Sequence, residues 1–221
     1  MRLYYVIIVL LILLATGLFF FNSSEKLLED SIATGDLETV QKLLDKNPKL
    51  VNATIGRSAK GRHSNQISAL CLALQSRQPE IARELLLAGA YPTKNTGRIN
   101  LLSYPAREGY VDLIPLLITK GVDPNIEKQP SVYLPLACPK DVETAQVLLD
   151  NGADLNARNA DGQTPLHGLA TFGDIKIALL LIENGADVNA EDNKGMTALT
   201  YALKNHDLLL FKILMESGAK E

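Results

Sequence analysis

The sequence predicts an all-α fold: a solenoid of about six stacked helix-turn-helix copies, preceded by one N-terminal helix of transmembrane length. Three observations lead there. Glycine-centred segments recur at a spacing close to 33 residues, each follows an apolar run of helical character, and residues 3–21 contain no charged side chain. Self-similarity at such a period marks a stack of supersecondary units, because one unit cannot bury its apolar face alone.

The first element runs from Leu3 to Phe21, LYYVIIVLLILLATGLFFF. As a helix it extends about 28 Å, against a hydrocarbon core of roughly 30 Å, and Tyr4 and Tyr5 fall at the depth of an interfacial aromatic belt. A core helix of a globular domain would carry a polar face, and this segment has none. The competing reading is a cleaved signal peptide, with Ala15-Thr16-Gly17 imitating a cleavage site. The apolar residues Leu18 to Phe21 beyond that site favour an uncleaved anchor. Arg2 and the terminal amine precede the segment, while Glu25, Lys26, Glu29 and Asp30 follow it. This thin excess of positive charge places the N-terminus in the cytoplasm and the repeats outside, which in a bacterium is the periplasm. The domain plan is residues 1–24 as transmembrane anchor or uncleaved signal segment and 25–221 as repeats.

The repeat series follows. Gly152-Ala153-Asp154 returns as Gly185-Ala186-Asp187 and as Gly218-Ala219, each time after 33 residues, and Gly121-Val122-Asp123 and Gly89-Ala90 extend the series upstream. The preceding residues read LLLAG, PLLITKG, VLLDNG, LLIENG and ILMESG, each an apolar helix end stopped by a glycine suited to the left-handed capping position. The fullest copy spans Asp161 to Asn193. Asp161-Gly162 makes a turn, Thr164 is placed as N-cap with Pro165 at the first helical position, and Leu166, Leu169 and Ala170 form an apolar face. Gly173-Asp174 breaks the chain. A second helix from Ile175 to Asn184 then directs Ile177, Leu180 and Leu181 inward.

The TPLH tetrapeptide at Thr164 to His167, followed by Gly-Ala-Asp-Val-Asn-Ala and the 33-residue period, resembles the ankyrin repeat. Its successor, Lys194-Gly195-Met196-Thr197-Ala198-Leu199, keeps the pattern more loosely, and residues 100–121, 131–152 and 67–89 retain the two-helix rhythm. Residues 28–52 look like a first copy, with Asn47-Pro48 in place of Gly-Ala. The repeats are therefore about 25–53, 66–98, 99–130, 131–159, 160–192 and 193–221, with a loop insertion at 54–65. Pro105, Pro115 and Pro139 should distort or kink the third and fourth copies. Lys204, Asn205, His206 and Asp207 give the last copy the polar break-up of a capping repeat.

Composition narrows the function classes. A net charge of -3 lacks the broad basic field of non-specific nucleic-acid binding. Cys71 and Cys138 are too few for a disulfide framework, lie two copies apart, and are expected to be free thiols. No zinc-protease, CxxC or nucleophile-elbow spacing occurs. For His167 the family resemblance implies a structural hydrogen bond to neighbouring backbone. Gly56 to His63 imitates the glycine spacing of a phosphate-binding loop, but Arg62 and His63 stand where lysine and a hydroxyl are needed. The better reading is the insertion itself, which presents Arg57, Lys60, Arg62 and His63 either to an acidic partner or anionic lipid, or simply to solvent.

No catalysis, cofactor, metal or small-molecule substrate is therefore expected. The resemblance implies a protein-binding module whose contacts come from the turn tips between copies and from the exposed side of each first helix. The tip candidates are Asn159, Asp161 and Gln163, then Asn193, Lys194 and Met196. The helix-face candidates are Tyr104, Arg107, Glu108, Tyr110, Thr171, Phe172, Tyr201 and Lys204. The expected partner is a protein, with the membrane reached through residues 3–21. By analogy, an accessory or immunity role toward a secreted enzyme follows. The alternatives are a cytoplasm-facing membrane scaffold and a secreted ankyrin protein released by signal cleavage.

Overall fold

Polar residues start the helices of this chain and glycines stop them. The computed structural model describes residues 24–55, 67–92, 100–125, 134–172 and 174–220. At the starts, the carboxylates of Asp36, Asp141, Asp174 and Asp207 accept from the N–H groups of Thr39, Thr144, Ile177 and Leu210 at 3.0, 2.8, 3.2 and 3.0 Å. Each satisfies a donor that has no partner inside its helix. At the ends, Gly89, Gly121, Gly152, Gly185 and Gly218 hold φ between 89° and 96°. The next residue in each case donates back across the last turn, as Ala186 does to Leu181 at 2.9 Å and Ala219 to Leu214 at 2.9 Å. This is the six-to-one closure that a left-handed C′ residue permits, and it places a small apolar residue against the helix it has just left.

The chain divides into two compact units, Met1–Tyr91 and Pro92–Glu221. In the first, α1 (24–34) precedes α2 (Leu37–Lys46), a short 3-10 turn (Pro48–Asn52), α3 (Ala69–Gln75) and α4 (Pro79–Leu87). Helix α4 packs against both α2 and α3, and Leu28, Ile32, Val40, Leu70, Leu74, Ile81 and Leu85 are buried in this unit. Two short strands, β1 (Thr54–Ile55) and β2 (Ile67–Ser68), pair antiparallel with Thr54 opposite Ser68 and Ile55 opposite Ile67. They flank residues 56–66, so Arg57, Lys60, Arg62 and His63 lie outside the described residues.

The second unit contains α5 (Ser103–Glu108), α6 (Leu113–Thr119), a 3-10 turn (Pro135–Ala137), α7 (Val142–Asp150), α8 (Pro165–Phe172), α9 (Ile175–Glu183), α10 (Ala198–Lys204) and α11 (Leu208–Glu216). It is two layers deep. In one layer α5, the 3-10 turn, α8 and α10 touch in succession; in the other, α6, α7, α9 and α11 do the same. Ile177, Ala178 and Leu181 are buried between them, whereas Leu180, expected inward, is half-buried.

The third and fourth copies are distorted, as expected, through shortened helices. Pro105 and Pro115 each stand third in a helix, inside the first turn where an N–H has no intrahelical partner in any case. The helices stay short, at six and seven residues, rather than bend. In the fourth copy the first helix is reduced to the 3-10 turn, and Leu134, Ala137 and Ala157 close the core there.

One expectation is corrected. Among the described residues no helix is long and apolar enough to cross a membrane. A single-pass membrane location with the repeats facing the periplasm is therefore not supported, and the segment 3–21 on which it rested lies outside the described residues. On the last copy Leu203, Leu208, Leu209 and Met215 are exposed beside the exposed Lys204, Asn205 and His206.

Candidate functional site

The tips and first helices of the second unit are held by a connected set of polar side chains. Asn159 is buried. Its Oδ1 accepts from the N–H groups of Asp161 and Gln163 at 3.0 and 2.9 Å, and its Nδ2 donates to Gln163 Oε1 at 3.1 Å. Gln163, also buried, donates from Nε2 to the Tyr201 hydroxyl at 2.8 Å. That hydroxyl donates in turn to Asp192 Oδ2 at 2.9 Å, while Asp192 Oδ1 accepts from the N–H groups of Lys194 and Met196 at 2.8 and 2.9 Å. Burial alone would raise the Asp192 pKa. The two N–H groups and the Tyr201 hydroxyl outweigh it and hold the carboxyl below the usual range.

His167 completes the set. Its Nδ1 accepts from the Thr164 N–H at 3.1 Å and lies 2.8 Å from Thr164 Oγ1. Since Nδ1 is an acceptor, Nε2 carries the proton and donates to the Met196 carbonyl at 2.9 Å in the next copy. Burial lowers the His167 pKa and so favours the neutral ring. Tyr201 packs edge-on against it, with ring centroids 5.6 Å apart. The structural bond implied for His167 is thus present, and the Thr164 hydroxyl faces this ring.

The register between copies sorts the remaining candidates. Lys140 N–H donates to the Ala106 carbonyl at 2.8 Å, and Asn205 Nδ2 donates to the Ala170 carbonyl at 3.0 Å, the equivalent position two copies on. This register places Arg107, Cys138, Thr171 and Lys204 in one row across the first-helix layer, and Tyr104 and Tyr201 in the row beside it. Arg107 and Lys204 are exposed, while Tyr104, Glu108, Tyr110, Thr171, Met196 and Tyr201 are half-buried. Thr171 Oγ1 donates to the His167 carbonyl at 3.0 Å, and Lys204 Nζ reaches Met196 Sδ at 2.8 Å. At the tips, Asn193 and Lys194 are exposed and Asp161 is half-buried. Asn193 ties back to the preceding tip through its N–H to the Asp161 carbonyl (2.9 Å) and its Nδ2 to the Ala160 carbonyl (3.1 Å). Asn159 and Gln163 are internal struts with little surface to offer. The Phe172 side chain lies outside what is described.

Burial pushes both free thiols, Cys71 and Cys138, up to about 11; for Cys138 the nearby Arg107 charge opposes the rise. Among the described residues no group of three or more His, Cys, Asp or Glu side chains is placed to hold a metal.

Two features went unrecognised in the sequence. One is a ladder of asparagines that bond the next copy through both amide groups. Asn125 donates to the Gly152 carbonyl at 2.9 Å and accepts from the Asp154 N–H at 2.7 Å; Asn189 does the same with Gly218 at 3.1 Å and Lys220 at 2.8 Å. The recurrence of Asn four residues after the capping glycine was the available signal. The other is Arg158, whose Nη1 bridges the Gly162 and Glu191 carbonyls at 3.1 and 2.6 Å and so joins the two tips.

This repeated architecture has a match over most of its length. The family model for ankyrin repeats (3 copies) matches residues 27–128 and 134–221. The chain belongs to the ankyrin-repeat family. Among solved structures, the ankyrin repeat domain of Bcl-3, described as a unique member of the IkappaB protein family, superimposes with a TM-score of 0.67. The alignment covers 88% of this chain and 86% of that one at 24% identity, a likeness of fold. No curated protein matches the chain by sequence. Ankyrin repeats make this chain a protein-protein interaction module.

Proposed function

We propose that the second unit binds its protein partner through the exposed edge of the first-helix layer and the two turn tips. Arg107, Thr171, Tyr201 and Lys204 form the helical part, and Asp161, Asn193, Lys194 and Met196 form the tips. The observation that carries this reading is the polar set joining Asn159, Gln163, Tyr201, Asp192 and His167. It fixes both tips from inside, so the outward side chains are presented on a rigid platform and lose little entropy on binding. Tyrosine and arginine are effective anchors in such a setting. With Arg107 and Lys204 at opposite ends of the row, a partner surface bearing carboxylates fits best.

Affinity capture from the native host tests the reading. An Arg107→Glu/Lys204→Glu variant should recover the partner of the unaltered chain at least about tenfold less. A Lys176→Glu variant, altered at an exposed position of α9 in the other layer, should recover it normally. Equal recovery by all three would overturn the assignment. The accessory or immunity role is not carried further, because it presupposed anchorage and export.

A further inference from the structure

The capping glycines of the fourth and fifth copies are preceded by asparagine, and the dipeptide Asn-Gly occurs in the chain only there, at Asn151-Gly152 and Asn184-Gly185. This dipeptide is chemically labile, because a residue without a side chain lets its own backbone nitrogen reach the asparagine amide. The glycine nitrogen loses its proton and attacks Cγ. The Cγ–Nδ2 bond breaks, ammonia leaves, and water then opens the five-membered succinimide to aspartate or isoaspartate. Water is the one co-reactant.

Both pairs are at the surface, with Asn184 exposed and Asn151 half-buried, yet the fold opposes each step. Asn151 and Asn184 turn Nδ2 back along their helices, donating to the Val147 and Leu180 carbonyls at 2.8 Å in each case. The N–H groups of Gly152 and Gly185 donate to the Leu149 and Ile182 carbonyls at 3.0 Å. Ring closure requires Cβ to eclipse the glycine nitrogen about the Cα–C bond. With ψ at 21° for Asn151 and 6° for Asn184, the asparagine's own nitrogen holds that place and Cβ is turned well away. The product does not suit the same turn. A carboxylate cannot donate to the carbonyl four residues back, and it adds negative charge at the negative end of the helix dipole, beside Asp150 or Glu183. Isoaspartate also inserts a methylene into the backbone just ahead of the capping glycine.

We propose that Asn151 and Asn184 are latent modification sites, closed in the folded copies and exposed to succinimide formation when α7 or α9 unfolds locally, and that the modification permanently weakens the copy carrying it. The proposal is independent of the binding face. To test it, the full-length chain is held at mildly alkaline pH, folded or unfolded in urea, and its proteolytic peptides are followed by mass spectrometry. The folded chain should convert both asparagines at least about tenfold more slowly, because reaction waits for local opening. Asp174→Ala, which removes the N-cap of α9, should speed both amide exchange in α9 and conversion of Asn184. Asn184→Asp, the simplest product, should unfold at a lower urea concentration than the unaltered chain. Equal conversion rates in the folded and unfolded chains would overturn the proposal. So would faster exchange in α9 without faster loss of Asn184, or a urea midpoint unchanged by Asn184→Asp.

Discussion

Removing one hydroxyl, by Tyr201→Phe, tests whether the polar set between the last two copies is a structural unit. The Tyr201 hydroxyl donates to Asp192 Oδ2 at 2.9 Å and accepts from Gln163 Nε2 at 2.8 Å. Asp192 and Gln163 are both buried. Phenylalanine keeps the edge-on packing against His167 but deprives the carboxylate of one of three donors and leaves the Gln163 amide without this acceptor. A hydrogen bond to a charged group contributes about 1.5–3 kcal/mol and an orphaned buried donor costs about 1 kcal/mol or more, so with partial overlap the loss should be about 2–3 kcal/mol. Urea unfolding of the two chains, followed by far-UV circular dichroism, measures it. A second consequence follows from proton linkage. The Asp192 pKa is depressed, so its stabilising contribution is present above the ordinary value of 3.8 and lost as pH falls through the folded value. Tyr201→Phe lessens the depression, and the variant should lose less of its remaining stability on acidification below that point. A stability change under about 0.5 kcal/mol, within the range of ordinary surface substitutions, would refute the account of this network.

The other predictions concern the repeats themselves. Burial lowers the His167 pKa from 6.5, so below that value the unfolded chain takes up a proton that the folded chain does not. Stability should therefore fall with decreasing pH below 6.5, with a slope contribution of at most about 1.4 kcal/mol per pH unit, and His167→Gln should flatten the slope while lowering stability throughout. Urea midpoints between neutral and mildly acidic pH read both effects. Asn125→Ala removes both bonds to the next copy and should cost about 1–2 kcal/mol, whereas Asn125→Asp keeps the acceptor and should cost about half as much; urea midpoints of the two variants decide. His206 has φ 57°, in the inter-helix turn where the third copy uses Gly109. A non-glycine residue there gives up about 1 kcal/mol or more, partly offset by the entropy glycine adds to the unfolded chain. His206→Gly should raise the thermal midpoint by a few degrees, and a fall would contradict the equivalence of these turns.

What could be read in advance followed the local rules. Capping glycines, TPLH and the 33-residue period are each dictated by backbone geometry within a few residues, and helix pairs ending at Gly121, Gly152, Gly185 and Gly218 correspond to them directly. The prolines show where local reading stops. A proline is compatible with a helix if the helix starts just before it, and that choice is made by packing against the neighbouring copy. At the candidate site, Asn159 and Gln163 are polar and at a tip, as expected of contact residues. Gln163 is engaged by Tyr201, which is far along the chain and invisible to spacing arguments.

The central claim is that the partner meets the first-helix edge and tips of the second unit. Hydrogen exchange of the chain with and without its captured partner tests it most directly. Binding should slow exchange at residues 159–163 and 192–196 and at the exposed ends of α8 and α10, with α7 and α9 unchanged. Slowing confined to α7, α9 and α11, with the tips unaffected, would contradict the account.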